Sequence, residues 1–119
     1  MNTLISVDAQ QEFLSLTKRS SRDFRSAGEA LAMLQSVVRN GLPPGAKPLI
    51  SDDGRNIYQI SSGKVRVFFS IQKGVSPDKD TLVVLSFETK PTLFGLISEK
   101  LKSRLESFNK IKPDEADKL

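Results

Sequence analysis

The residue types that this chain lacks restrict the chemistry that it could perform. It contains no cysteine and no histidine, so it has no thiol nucleophile, no thiolate metal ligand and no imidazole base. Any catalysis would therefore use lysine, arginine, tyrosine, serine or carboxylate side chains. Side chains of these types include Lys47 in a proline-rich segment, and Tyr58 and Arg66 in apolar, strand-like segments.

Each of these side chains also has an ordinary structural interpretation. Arg66 would lie on the polar face of a strand, where most arginines are solvated or ion-paired. Tyr58 would be an aromatic residue at the edge of the core with its hydroxyl in water, and Lys47 a solvated lysine. Asp52 and Asp53 belong to a Ser-Asp-Asp-Gly sequence that is typical of a turn, so we predict no metal site there.

The composition predicts a small, basic, globular protein. Of the 119 residues, 38% are hydrophobic and 27% are charged, which is typical of a globular chain, and the net charge is +4. We predict one domain over residues 1–111 and a polar tail over 112–119. The basic balance favours a nucleic acid or an acidic partner. The lack of cysteine and of a long apolar run predicts a cytoplasmic protein without a membrane span.

Three consecutive strands are predicted in the second half of the chain. The first covers residues 56–60 and ends in a turn of two serines and a glycine. Over 64–72 apolar and polar residues alternate, which predicts one face in the core and the other, with Arg66, outside it. Residues 81–87 are apolar almost throughout, as expected of a central strand that is covered on both faces.

A short strand and two helices are predicted before this sheet. The strand covers residues 3–7, and Asp8 is the predicted cap of a helix over 9–18. Ser20, with an acidic residue three positions later, predicts the cap of a second helix over 22–39. Because so few residues separate them, the two helices should form an antiparallel helical hairpin.

A third helix is predicted near the C-terminus from the spacing of apolar residues between 93 and 108. Lys100, Lys102 and Arg104 alternate there with acidic residues, which is typical of an exposed helix face. The predicted fold class is therefore α+β: an N-terminal strand and a helical hairpin packed on a mostly antiparallel sheet of about four strands, followed by a C-terminal helix. The helices are expected to cover one face of the sheet.

This order of elements, together with three sequence motifs, resembles the RelE/ParE toxin superfamily, and in particular its phage-derived, HigB-like branch. The motifs are the proline-rich connector 41–49, the strand entry 53–58, and the strand 63–69 that carries Arg66. The resemblance covers roughly residues 3–108. It implies a RelE/ParE-like fold.

The resemblance also implies a function and partners. It indicates the toxin of a type II toxin–antitoxin pair, which in most such proteins is a metal-independent mRNA endonuclease acting on the ribosome, and in a minority a gyrase inhibitor. The expected partners are a cognate antitoxin protein, in a toxin–antitoxin hetero-oligomer, and mRNA on the ribosome. Neither activity needs a cofactor or a metal.

Cleavage of RNA through its 2′-hydroxyl needs a base, a proton donor and cations for the charge that develops on the phosphate. The resemblance implies that Arg66 contacts the phosphate, for which a planar guanidinium is suited. Tyr58 would stack on a base or transfer a proton, and Lys47 is the third catalytic candidate. The cations expected to bind RNA through their charge are Arg55, Lys64 and Lys90.

The strand before Arg66 departs from the family pattern. Nucleases of the family usually carry lysine or arginine there, whereas this chain has Gln59, Ser61 and Ser62. The alternative function is therefore a non-enzymatic binding module with a toxin-like fold, which contacts gyrase, a nucleic acid or another protein through the same sheet.

Overall fold

Three helices and one sheet make up the part of the chain that the computed structural model describes, which is residues 2–52, 55–74, 79–89, 94–109 and 117–118. The helices are α1 (Val7–Arg19), α2 (Ser21–Asn40) and α3 (Phe94–Asn109). The strands are β1 (Asn2–Ile5), β2 (Ile50–Asp52), β3 (Arg55–Ser62), β4 (Val65–Gln72), β5 (Thr81–Glu88) and β6 (Asp117–Lys118).

The sheet has the strand order β2-β3-β4-β5-β1-β6. β1 runs parallel to β5, and every other neighbouring pair is antiparallel. The α+β class and the mostly antiparallel sheet are thus confirmed, as is the central position of β5, whose residues 82–87 are all buried. The number of strands is six rather than the predicted four or so, because β2 and β6 add to the two ends of the sheet. Asp117 and Lys118, in the predicted polar tail, pair with β1; residues 110–116 and Leu119 lie outside the described part.

The cap of α1 differs from the prediction. Ser6, not Asp8, is the N-cap: its Oγ accepts a hydrogen bond from the Ala9 amide at 3.1 Å. Asp8 lies in the first turn, where its charge suits the positive end of the helix dipole. The cap of α2 is confirmed, since Ser20 Oγ accepts from the Asp23 amide at 3.3 Å.

The sheet contains two features that the sequence patterns did not predict. β2, which was expected to be part of a turn, pairs with the start of β3, and its Ile50 is buried in the core. β3 also continues through Ser61 and Ser62, so that β3 ends two residues later, and β4 begins one residue later, than predicted. Gly63 occupies this turn with a φ of 57°, a conformation that glycine adopts without strain.

Both faces of the sheet are covered, which corrects the expectation that helices cover only one. α1 and α2 pack on the face that carries Val65, Val67 and Phe69 of β4, called here the α1–α2 face. α3 packs on the opposite face, the α3 face, where Phe68 is fully buried. The alternation along β4 looked like an apolar and a polar face, but Phe68 makes the second face a hydrophobic surface that α3 must cover.

Candidate functional site

Tyr58 and Arg66, two of the predicted catalytic residues, lie on opposite faces of the sheet. Tyr58 is in register with Phe69 on the α1–α2 face, and the two rings stack with centroids 5.5 Å apart. Arg66 lies between Val65 and Val67 of that face in sequence, so its side chain is on the opposite, α3 face. Its guanidinium carbon lies 5.6 Å from the ring centroid of Phe68 there. The structure therefore does not bring these two side chains to one reacting centre.

Tyr58 and Lys47 do share a cavity. It has a volume of about 670 Å³ and lies between the C-terminal half of α2, the loop 41–49 and β3. Tyr58 is half-buried in its wall, and Lys47 is exposed on the loop. These two are the ionisable groups among its described lining residues, which are Met33, Ser36, Val37, Asn40, Gly41, Leu42, Pro43, Pro44, Ala46, Lys47, Tyr58, Gln59, Ile60 and Phe69.

The turn between β3 and β4 lies against the first half of α2. Ser62 Oγ donates a hydrogen bond to the Glu29 carboxylate at 2.6 Å. A Cβ atom on Gly63 would lie 2.6 Å from Ser26 Oγ, so the glycine permits an approach that a larger residue would obstruct. This packing places the turn beside the second and third turns of α2.

The same packing places an exposed basic residue of the turn near two basic residues of α2 and near the exposed Glu29 carboxylate, which the sequence patterns did not indicate. Lys64 is exposed in the turn, and Arg22 and Arg25 are exposed on α2 within one helical turn of Ser26. We call Arg22, Arg25 and Lys64 the basic corner. Sequence could have shown the two arginines as neighbours on one helix, but not that Lys64 joins them, because that depends on how the turn packs on α2.

Two predicted RNA-binding residues cannot be placed with the others. Arg55 begins β3, but its side chain lies outside the described part of the chain, as does the whole of Lys90. Among the described residues no group of acidic side chains is arranged to hold a metal ion. Lys64 is therefore the one residue of the predicted RNA-binding set whose side-chain environment is described.

A cluster of four charged side chains joins α1 to α3, and it corrects the expectation that Lys100 and Arg104 lie on an exposed helix face. Arg104 forms a two-point ion pair with Glu12, with N–O distances of 2.8 and 3.0 Å. Lys100 bridges Glu12 at 3.3 Å and Glu88 at 3.0 Å. Only 15% of the Arg104 side chain is exposed, so this pair is largely shielded from water. We call these four residues the ionic cluster.

The ionic cluster provides hydrogen-bond partners for backbone groups of β5 that lie beyond the end of β1. β1 is in register with β5 only as far as Val84, which leaves the next backbone groups of β5 without a strand on that side. The Phe87 amide donates to Glu12 at 3.1 Å, and the Leu85 carbonyl accepts from Arg104 at 2.9 Å. Buried backbone groups that find no strand partner need such substitutes, so the primary role of the cluster is structural.

The charges of the cluster stabilise one another. Burial alone would raise the pKa of Glu12, but the hydrogen bond and charge of Arg104, the Phe87 amide and Lys100 together lower it below its ordinary value of 4.5. Burial alone would lower the pKa of Arg104, and Glu12 raises it instead. Both groups therefore stay ionised at neutral pH, and neither is suited to proton transfer.

The lowered pKa of Glu12 predicts a pH dependence of stability. Because Glu12 binds a proton less readily when folded, its contribution is present above about pH 4.5 and is lost as the pH falls through the lower folded pKa. We expect the wild-type chain to resist urea better than Glu12→Gln at pH 7, and the gap between their midpoints to close towards pH 3. Urea titrations at a series of pH values measure this gap.

The matched control is Glu99→Gln, because Glu99 is exposed on α3. Its midpoint should differ little from that of the wild type at every pH. Asp80, whose pKa is also lowered, by the hydrogen bond from the Gly74 amide, acts in the same direction, so only the difference between wild type and variant reports on Glu12. A gap that persists unchanged at low pH would contradict the assignment.

Comparisons with protein-family models, with curated proteins and with solved structures give no match to this chain. The helices of the described residues are each too short or too polar to cross a bilayer.

Proposed function

We propose that this chain is a toxin-type protein of the RelE/ParE kind that acts by binding RNA without cutting it. The observation that carries this proposal is the separation of Arg66 from Tyr58 and Lys47 by the thickness of the sheet. A ribonuclease of this type needs its phosphate-binding cation and its proton-transfer groups at one phosphate. The motifs and the order of elements support the family, and a cognate antitoxin would be the protein that holds the chain inactive.

The basic corner supports RNA as the ligand. Arg22, Arg25 and Lys64 present three exposed cations from two elements that pack together, against the single exposed Glu29 carboxylate that joins those elements. Phosphate groups bind such surfaces largely through the release of counterions, so contact needs no base-specific geometry. The positive net charge of +4 works in the same direction.

A second candidate function, the metal-independent mRNA endonuclease, is favoured by one observation. Tyr58 and Lys47 line the same cavity, so a phenol and an ammonium group could meet one substrate there. In this version Lys47, in place of Arg66, would neutralise the charge on the phosphate, and Tyr58 would transfer the proton.

RNA binding predicts a clear effect of single charge reversals on α2. We expect Arg25→Glu to weaken the binding of a labelled single-stranded RNA about tenfold at low salt. The slope of the logarithm of the binding constant against the logarithm of the salt concentration should fall by about one. The matched control is Arg39→Glu, which makes the same charge change at the other, also exposed, end of the helix. Fluorescence anisotropy at several salt concentrations measures both quantities. Equal losses in the two variants would indicate only non-specific attraction.

Cleavage is tested separately in an in vitro translation reaction with toe-print mapping of the mRNA. The proposal expects translation to be inhibited without new 5′ ends. Cuts that disappear in Tyr58→Phe and in Lys47→Ala would establish the endonuclease and overturn the non-cleaving function. Expression of the wild-type chain should arrest bacterial growth in both versions, and a folded but harmless chain would contradict the toxin assignment altogether.

A further inference from the structure

The cavity between α2, the loop 41–49 and β3 has a loop wall that is held at both ends. At one end the Gly41 amide donates to the Val37 carbonyl at 2.7 Å, and at the other the Leu49 amide donates to the Ile57 carbonyl at 2.8 Å. Between these ends three prolines restrict the backbone. A wall of this kind has little conformational freedom to lose when a ligand binds, so the cavity is preorganised.

The lining of this cavity is mainly apolar and partly aromatic. The rings of Tyr58 and Phe69, which stack with an angle of 25° between their planes, both belong to it. On the α2 side Met33 is still 46% exposed. Because thioether groups and aromatic rings pack favourably on other rings, these walls suit a flat, apolar ligand body. The volume of about 670 Å³ is typical of small-molecule sites, which span about 300–1,000 Å³.

Few polar groups of the lining are available to a ligand. The Asn40 side chain donates to the Ser36 hydroxyl at 3.5 Å, so these two groups partner each other. Gln59 alternates with Tyr58 along β3, so its side chain belongs to the α3 face. Within the described part of the chain, no side chain forms an ion pair with Lys47 or a hydrogen bond with the Tyr58 hydroxyl. One ammonium group and one phenol group are therefore left to bind polar atoms.

We propose that this cavity binds a small aromatic carboxylate, with its rings between Tyr58 and Met33 and its carboxylate paired with Lys47. A single cation beside an apolar wall matches a ligand that carries one anionic group on an apolar body. A nucleotide matches less well, because its ribose hydroxyls and base edges would lose water against apolar groups without gaining hydrogen bonds. This site uses different residues from the basic corner and does not rest on RNA binding.

The charge preference can be tested with three probes that share one ring system. These are the anion 2-naphthoate, the neutral 2-naphthalenemethanol and the cationic 2-naphthylmethylamine, each measured by equilibrium dialysis against the full chain. We expect 2-naphthoate to bind about fivefold more tightly than the alcohol, and the amine to bind most weakly. Lys47→Gln should remove the advantage of 2-naphthoate, because its ammonium group supplies the charge that the carboxylate pairs with.

The position of the bound ring can be tested with two substitutions on α2. Ser36 lines the cavity, so Ser36→Trp should fill it and weaken the binding of 2-naphthoate and of the alcohol about tenfold. Gln35→Trp is the matched control, since it introduces the same side chain at the preceding exposed position, outside the lining. In the wild-type chain 2-naphthoate should also shift the NMR signals of the Gly41 and Tyr58 amides, a measurement that needs no variant.

Several outcomes would overturn the proposal. Equal binding of the three probes would contradict the carboxylate, and tighter binding of decanoate than of 2-naphthoate would contradict the aromatic body. No binding of 2-naphthoate at millimolar concentration, or equal losses in Ser36→Trp and Gln35→Trp, would contradict the site itself. If adenosine 5′-monophosphate binds more tightly than 2-naphthoate and is lost in Ser36→Trp, the cavity is a nucleotide site and the ligand class is wrong.

Discussion

The Glu12→Ala variant is expected to unfold with about 3 kcal/mol less free energy than the wild-type chain. The substitution removes the two-point ion pair with Arg104 and the acceptor of the Phe87 amide. It leaves the largely shielded guanidinium with only the longer contact of 3.7 Å to the more exposed Asp8 carboxylate. Breaking a shielded ion pair from one side costs more than the pair contributes, because the remaining charge stays desolvated. Urea denaturation followed by circular dichroism at pH 7 gives the value.

The control for this prediction is Glu99→Ala, which removes the same side chain from an exposed position of α3. It should change the free energy of unfolding by less than about 0.5 kcal/mol. If Glu12→Ala is no more destabilised than Glu99→Ala, the ionic cluster does not bind α1 to α3 in solution.

We expect a loss of similar size, about 3 kcal/mol, when Leu101 is replaced by alanine. Leu101 is fully buried between α3 and the sheet, in the same core as Phe68 and Leu85. Its truncation removes apolar surface from that core and leaves a cavity that the rigid strands cannot fill. The measurement is the shift of the urea midpoint, with the slope of the free energy of unfolding against urea concentration unchanged.

Leu96→Ala is the internal comparison, since Leu96 lies on the same helix with 61% of its surface exposed. Its substitution should be close to neutral. The ratio of the two effects reports whether α3 covers the second face of the sheet. Equal, small effects would mean that this face is uncovered in solution, and that Arg66 is accessible on it.

Local signals predicted most of the elements correctly. Ser20 has the residue type and spacing of a helix cap, and it caps α2. The apolar run of β5 required burial on both faces, and β5 is central. In contrast, Lys100 and Arg104 look like exposed residues in any local pattern, because their carboxylate partner Glu12 is about ninety positions away in sequence. No periodicity within α3 could reveal that contact.

Only part of the candidate site could be predicted, because its geometry also depends on how the strands pair. Alternation along β4 already separated Arg66 from Val65 and Val67, and that separation is correct. The face on which Tyr58 lies depends on the register of β3 with β4, and that register depends on the turn at Gly63. The predicted turn ended β3 two residues too early and began β4 one residue too early, so the relation between Tyr58 and Arg66 could not be derived from the sequence.

The parallel pairing of β1 with β5 also determines when the sheet can be completed during synthesis. Asn2 pairs with Thr81 and Ile5 with Val84, so more than two thirds of the 119 residues must be synthesised before the first strand finds its neighbour. Until then β2, β3 and β4, which are consecutive in sequence and pair as antiparallel neighbours, can form from local contacts. Folding should therefore be slow for a chain of this size, and the apolar β1 would be available to other partners on the ribosome until β5 emerges.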